Sequence, residues 1–287
     1  MNNLAFKIGW RLVFYPALAY TGLSLILFWL YARPNRYTGP GTPGDAGLKA
    51  EAIRLKTSDG ISLDAWFIPN NKSGRAIIVC HGYPMDKSDV LGLTDFLARE
   101  FNLIYFDFRG TGRSGGFFST GGAREVRDID AAVKFLESRG FRNGVGAFGF
   151  SMGGAAVLLS ENPAIKARVL DAPYADLGGE LDYVFSPWGA WRKPLIALMK
   201  AWSFILMGVD INGVSPERRA ASLDTPLLLV HGDADRQVPL ANSLRIKASD
   251  PGAELWVVKG AGHGETRGRA GAEYEKRLLA FFRDNLK

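Results

Sequence analysis

The chain has 287 residues, 47% apolar and 22% charged, which suits one globular domain with a short addition and excludes a disordered or collagen-like chain. The formal charge is +6, but the basic residues are scattered, with no stripe interleaved with aromatics; nucleic acid is not an expected partner, and an anionic membrane surface is the better match. A single cysteine, Cys80, excludes an internal disulfide, and no Cys/His cluster has the spacing of metal ligands.

Residues 12–32 carry no charge and are long enough to span a bilayer. Trp10 and Trp29 stand 19 residues apart, about 29 Å along a helix at ~1.5 Å per residue. That matches a hydrocarbon core of about 30 Å edged by aromatic belts. Pro16 is placed to kink the helix. Lys7 and Arg11 flank one end, and Arg33 and Arg36 the other, so the charges set no orientation. A cleaved signal peptide is the rival reading, but its apolar region would be shorter and no small-residue cleavage site follows. Residues 1–33 are therefore expected as an uncleaved single-pass anchor, 34–49 as a flexible Pro- and Gly-rich linker, and 50–287 as the main domain.

Strands are predicted near 53–58, 63–68, 75–80, 102–107, 145–150, 167–170, 227–230 and 254–258. Helices are predicted at about 88–100, 122–139, 152–161, 239–248 and 269–285. The first two strands, parted by Ser58-Asp59-Gly60-Ile61, read as an antiparallel hairpin. The later alternation predicts a doubly wound α/β fold with a mostly parallel sheet. Residues 174–222 break the alternation as a helical lid insertion, rich in tryptophan, with an apolar helix over 194–207. Trp188, Trp191 and Trp202 are candidates for an apolar wall against a substrate, or for simple burial of the lid on the core.

Gly149-Phe150-Ser151-Met152-Gly153 sits where a predicted strand turns into a predicted helix, the context of a G-x-S-x-G nucleophile elbow. A hydroxyl needs a base, and three histidines are available. His263 lies after the last strand, where the order Ser…Asp/Glu…His places the base. Asp235, in the loop after the strand at 227–230, is the expected acid that orients it; Asp233 and Asp171 are competitors. His231 at a strand end reads as structural, and His81 as ordering its loop. The backbone N–H groups of Met152 and Tyr83 are expected to bind an oxyanion. Gly110–Gly115 and Gly144–Gly149 both fit G-x-G-x-x-G, but neither runs directly into a helix, so dinucleotide binding is rejected.

His81-Gly82, the run from Asp107 to Gly115, the elbow, His231-Gly-Asp-Ala-Asp235 and Gly262-His263 together resemble an α/β-hydrolase-fold serine hydrolase. The resemblance covers about residues 50–287 and is similar to the branch of serine aminopeptidase-like, monoglyceride-lipase-like and membrane-anchored depalmitoylase-like enzymes. The apolar N-terminal segment and the tryptophan-rich insertion depart from the common pattern. The resemblance implies hydrolysis through an acyl-enzyme of a carboxylic ester or thioester with an apolar acyl group, at a membrane and without cofactor. A peptidase or amidase on the same machinery is the nearest alternative. A non-catalytic binding module of the same fold is the alternative of another class.

Overall fold

In a computed structural model describing residues 2–142 and 144–286, eight strands form one sheet. They are β1 (Glu51–Lys56), β2 (Ser62–Ile68), β3 (Ala76–Cys80), β4 (Asn102–Phe106), β5 (Val145–Phe150), β6 (Ile165–Asp171), β7 (Leu227–Gly232) and β8 (Glu254–Val258). Their order is β1-β2-β4-β3-β5-β6-β7-β8. β1 and β2 form the expected hairpin, β2 also runs antiparallel to β4, and every other pairing is parallel. β3, β4 and β5 are buried along their whole length, which is why they read as unbroken apolar runs rather than as alternation.

The helices are α1 (Asn2–Ala32), α2 (Leu91–Thr94), α3 (Val126–Ser138), α4 (Met152–Leu159), α5 (Leu177–Val184), α6 (Arg192–Met207), α7 (Pro216–Ala220), α8 (Ala241–Ser249), α9 (Thr266–Ala270) and α10 (Ala272–Asn285). Ile129 of α3, Val157 of α4 and Ile246 of α8 bury one face of the sheet. Leu91 of α2 and Leu278 and Phe282 of α10 bury the other. This is the expected α/β-hydrolase fold, and α5 to α7 form the lid insertion.

Three expected helices are shorter or divided. The helix predicted from 88 ends at Thr94 and continues as a 3-10 turn (Asp95–Arg99), where the Asp95 carboxylate accepts the Phe96 N–H and competes with the helical pattern. The helix predicted from 122 begins at Val126 because the Glu125 carboxylate binds the Thr120 and Gly122 N–H groups in a turn. The C-terminal helix divides at Gly271, whose φ of 56° and ψ of −131° no helix accommodates.

Helix α1 is apolar over Phe6–Ala32 and long enough to cross a membrane. Its C-terminal part lies on the lid: Phe28 and Ala32 are buried with Phe185, Leu195, Met199 and Met207. Trp202 Nε1 donates to Ser24 Oγ at 2.9 Å, and the Tyr20 hydroxyl donates to the Trp191 carbonyl. The segment 34–49, expected as a flexible linker, runs along the domain. Arg36 donates to the carbonyls of Ser114 and Gly116, both at 2.6 Å, and the Gly39 N–H donates to Asp86.

Candidate active site

The chain leaves β3 to form β4 on one side and returns to form β5 on the other, so a crevice opens at the carboxyl ends of β3 and β5. Open α/β sheets hold ligands at this kind of switch point. Tyr83 follows β3 and Ser151 follows β5, and both line a cavity of about 770 Å³ there. Such a volume is that of a small-molecule site.

Ser151 has φ 53° and ψ −120°, a conformation that side-chain-bearing residues rarely adopt. The strain is held by the flanking structure: the Ser151 N–H donates to the Asp171 carbonyl at 2.8 Å, and its carbonyl accepts from Ala155. The turn is so tight that a Cβ on Gly149 would fall 2.5 Å from the Gly153 carbonyl carbon. Glycine at both positions is a steric requirement of β5 passing directly into α4. Met152 is the first residue of α4, so its N–H has no partner within the helix, and the residue lines the cavity beside Ser151.

His263 lies between β8 and α9, with its ring packed on Phe150 at a centroid distance of 4.8 Å, and it lines the cavity with Ser151. Its Nδ1 is 2.6 Å from Asp235 Oδ2. The other Asp235 oxygen accepts the N–H groups of Gln237 and Val238, each at 2.9 Å. Burial works against the Asp235 charge, but the His263 contact and the two backbone donors outweigh it and leave its carboxyl below the usual range. Ser151, Met152, Tyr83 and His263 thus converge, with Asp235 behind His263. No hydrogen bond among the described residues joins the Ser151 hydroxyl to His263; contacts of this kind tighten when substrate binds.

The competing residues have other partners. Asp233 accepts the Gly260 N–H at 2.5 Å. Asp171 is buried, accepting from Thr266 at 2.5 Å and Tyr274 at 2.8 Å, and burial pushes its carboxyl up to about 6. His231 Nε2 donates to the Val238 carbonyl at 2.8 Å and its Nδ1 accepts from Ser243, so this ring braces the turn that carries Asp235. His81 donates from Nδ1 to the Gly82 carbonyl at 2.6 Å and accepts the Phe108 N–H on Nε2 at 2.9 Å. Burial pushes both imidazoles down toward the neutral form that these bonds require. Beyond Gly115, the next helix begins only at Val126, and Gly144–Gly149 overlaps β5, so neither glycine pattern meets a helix N-terminus as a dinucleotide site would.

The lid tryptophans are the correction. None of Trp188, Trp191 or Trp202 lines the cavity. Trp191 is 72% exposed, Trp188 sits against Phe185, and the Trp202 indole is turned to Ser24 of α1. The apolar wall comes instead from Leu181, Met199 and Met207 of the lid and from Phe28, Leu30 and Tyr31 of α1. Which surface each indole meets depends on the pairing between α1 and the lid, and no local pattern in the sequence announces that pairing. The sequence reading also missed Glu180. It lines the cavity, one carboxylate oxygen is buried with no hydrogen-bond partner, and burial pushes its carboxyl up to about 7. Nothing in the spacing of α5 separates Glu180 from the exposed Asp182.

Comparison with known proteins agrees with this architecture. Residues 92–287 match the Prolyl oligopeptidase family. The Pyrococcus furiosus esterase Pf2001 superposes with a TM-score of 0.72 at 28% identity, covering 90% of this chain and 99% of that one. The uncharacterized protein YfhR of Escherichia coli K12 is 28% identical over 248 residues, 81% of this chain and 80% of that protein. The uncharacterized membrane protein YNL320W of Saccharomyces cerevisiae is 26% identical over 208 residues, 69% of this chain and 67% of that protein.

Proposed function

Because the chain belongs to the prolyl oligopeptidase family and has the α/β-hydrolase fold, we propose that it is a membrane-anchored serine hydrolase cleaving carboxylic esters or thioesters of apolar acyl groups. The Ser151 oxygen attacks the acyl carbon while His263 takes the hydroxyl proton. The tetrahedral oxyanion is held by the N–H groups of Met152 and Tyr83. Collapse breaks the bond to the leaving group, which receives the proton from His263, and leaves an acyl-serine. Water, deprotonated by the same imidazole, then releases the carboxylic acid and restores Ser151. Asp235 holds His263 in one tautomer and stabilises its cation.

The observation that carries this reading is the 2.6 Å His263–Asp235 contact beside a strained Ser151 in one apolar cavity. The apolar length of α1 and the membrane-protein relative support the anchor. The test is fluorophosphonate labelling of the protein, followed by hydrolysis of p-nitrophenyl esters of rising chain length. Labelling at Ser151 with turnover that grows with acyl length is the expected result. Absence of labelling in folded protein would favour a non-catalytic binding module.

Glu180 favours a second reading on the same machinery, a peptidase or amidase that binds a substrate ammonium. A carboxylate oxygen with no partner inside an apolar cavity is suited to a cationic donor. Under that reading Glu180→Gln raises KM for aminoacyl amides at least tenfold and leaves simple acyl esters alone. Equal, small effects on both would remove it.

A further inference from the structure

The lid carries an apolar outer face that the catalytic cavity does not use. Phe204, Ile205 and Leu206 near the end of α6, and Trp188 and Trp191 in the turn before it, are all exposed, and none lines the cavity. This face is continuous with α1. The Tyr20 and Trp191 rings lie 6.4 Å apart, and Trp202 of α6 is bonded to Ser24.

Length decides what covers this face. The uncharged run begins at Leu12, after Arg11. The helix is free of the body only as far as Ala19; from Tyr20 onward it lies on the lid. The free uncharged part is thus roughly 8 residues, about 12 Å of helix, against a hydrocarbon core of about 30 Å. The missing length lies in residues 20–32, which run beside the lid. A bilayer that accommodates this helix therefore also reaches α6.

Some residues that line the cavity are also exposed at its rim: Leu30 and Tyr31 of α1, and Tyr183 and Val184 of α5. The exposed part of the rim is thus shared by α1 and α5, which carry its apolar side chains, and by Arg236 and Gln237 of the loop after β7.

We infer that the lipid bilayer covers the outer face of the lid together with α1, and that an acyl substrate enters the cavity sideways from the membrane, between α1 and α5. This rests on the membrane-anchored reading above. It adds that α1 is a wall of the site and that the lid sits at membrane depth, rather than being carried in water on a tether.

The test uses the full-length protein in phosphatidylcholine vesicles with single added cysteines carrying an environment-sensitive fluorophore. Cys80 is buried, and the unsubstituted protein checks that it takes no label. Labels go at Leu12→Cys, at Leu206→Cys and, as a water-exposed reference, at Lys276→Cys on α10. Lipids bearing a nitroxide on the acyl chain should quench the labels at 12 and 206 severalfold more than the label at 276. Quenching at 12 with a label at 206 that behaves like 276 would overturn the inference and leave the anchor standing. No quenching at 12 would remove the anchor and the inference together. A label at 206 shielded from water yet insensitive to lipid nitroxide would put a second copy of the chain on this face and overturn it as well.

Discussion

The Tyr83 hydroxyl donates to the Tyr31 carbonyl at 2.7 Å, tying the loop after β3 to the end of α1 at the rim of the cavity. The proposed oxyanion donor at this residue is its backbone N–H, so side chain and backbone have separable tasks. Tyr83→Phe should therefore keep acetate-ester turnover within a few-fold, while costing about 0.5–1.5 kcal/mol of unfolding free energy for the lost bond. Chemical denaturation beside a p-nitrophenyl acetate assay checks both. A thousandfold loss of turnover would mean that the hydroxyl itself takes part in the chemistry.

Ser151→Ala should abolish fluorophosphonate labelling and lower turnover by roughly a millionfold, as loss of the nucleophile does in such sites. Circular dichroism should be unchanged. Turnover within tenfold of the parent protein would remove Ser151 as nucleophile.

His263→Ala should be as damaging as loss of the serine, and Asp235→Asn should cost roughly ten-thousandfold. Asp233→Asn should be mild, because Asp233 closes a turn through the Gly260 N–H and does not touch His263. Steady-state kinetics on one ester ranks the three. A severe Asp233→Asn beside a mild Asp235→Asn would reverse the assignment.

Asp171 offers a stability measurement. Burial raises its carboxyl from 3.8 to about 6. Between about pH 4 and pH 6 the unfolded chain has released this proton and the native state retains it. The native state then binds more protons, so this group's contribution falls as pH rises through the window and is level above it. Asp171→Asn keeps a neutral side chain that still accepts from Thr266 and Tyr274. Its stability relative to the parent should climb across the same window by up to about 3 kcal/mol. Urea titrations at pH 4, 5, 6 and 7 read this directly, and a pH-independent difference would contradict it.

Leu181 lines the cavity from α5 and is only half-buried. Leu181→Trp should shorten the acyl chain accepted, lowering kcat/KM for long esters at least tenfold while acetate esters change little. A uniform loss across chain lengths would show damage to the machinery rather than to the acyl wall.

How much of this was legible in the sequence depends on how local each determinant is. β3 and β4 announced themselves because strands buried on both faces must be apolar throughout, as Ala76–Cys80 and Asn102–Phe106 nearly are. The elbow was legible because its steric demand falls on Gly149 and Gly153, within two residues of Ser151. The proximity of His263 to Asp235 followed from chain order on a known type of sheet. The breaks at Thr94 and Gly271 were missed because each depends on one residue's conformation inside an otherwise helical stretch. The roles of the lid were missed for a different reason. The sequence marks Trp188, Trp191 and Trp202 as apolar and large, but which surface each meets is decided by where α1 lies, far away in the chain.

The position of the site residues along the chain also sets a timetable. Synthesis delivers α1 before the Ser151 turn, and His263 only roughly 230 residues after α1 ends. At about 5–20 residues per second, on the order of 10–50 s separate the two ends of one cavity. From Ser151 to His263 the growing chain holds the proposed nucleophile without its proposed base. Under the proposed mechanism, a ribosome that stalls after β8 and before Gly262 leaves a product with all eight described strands and no base for Ser151. On the proposed mechanism such a fragment should be inert as a hydrolase.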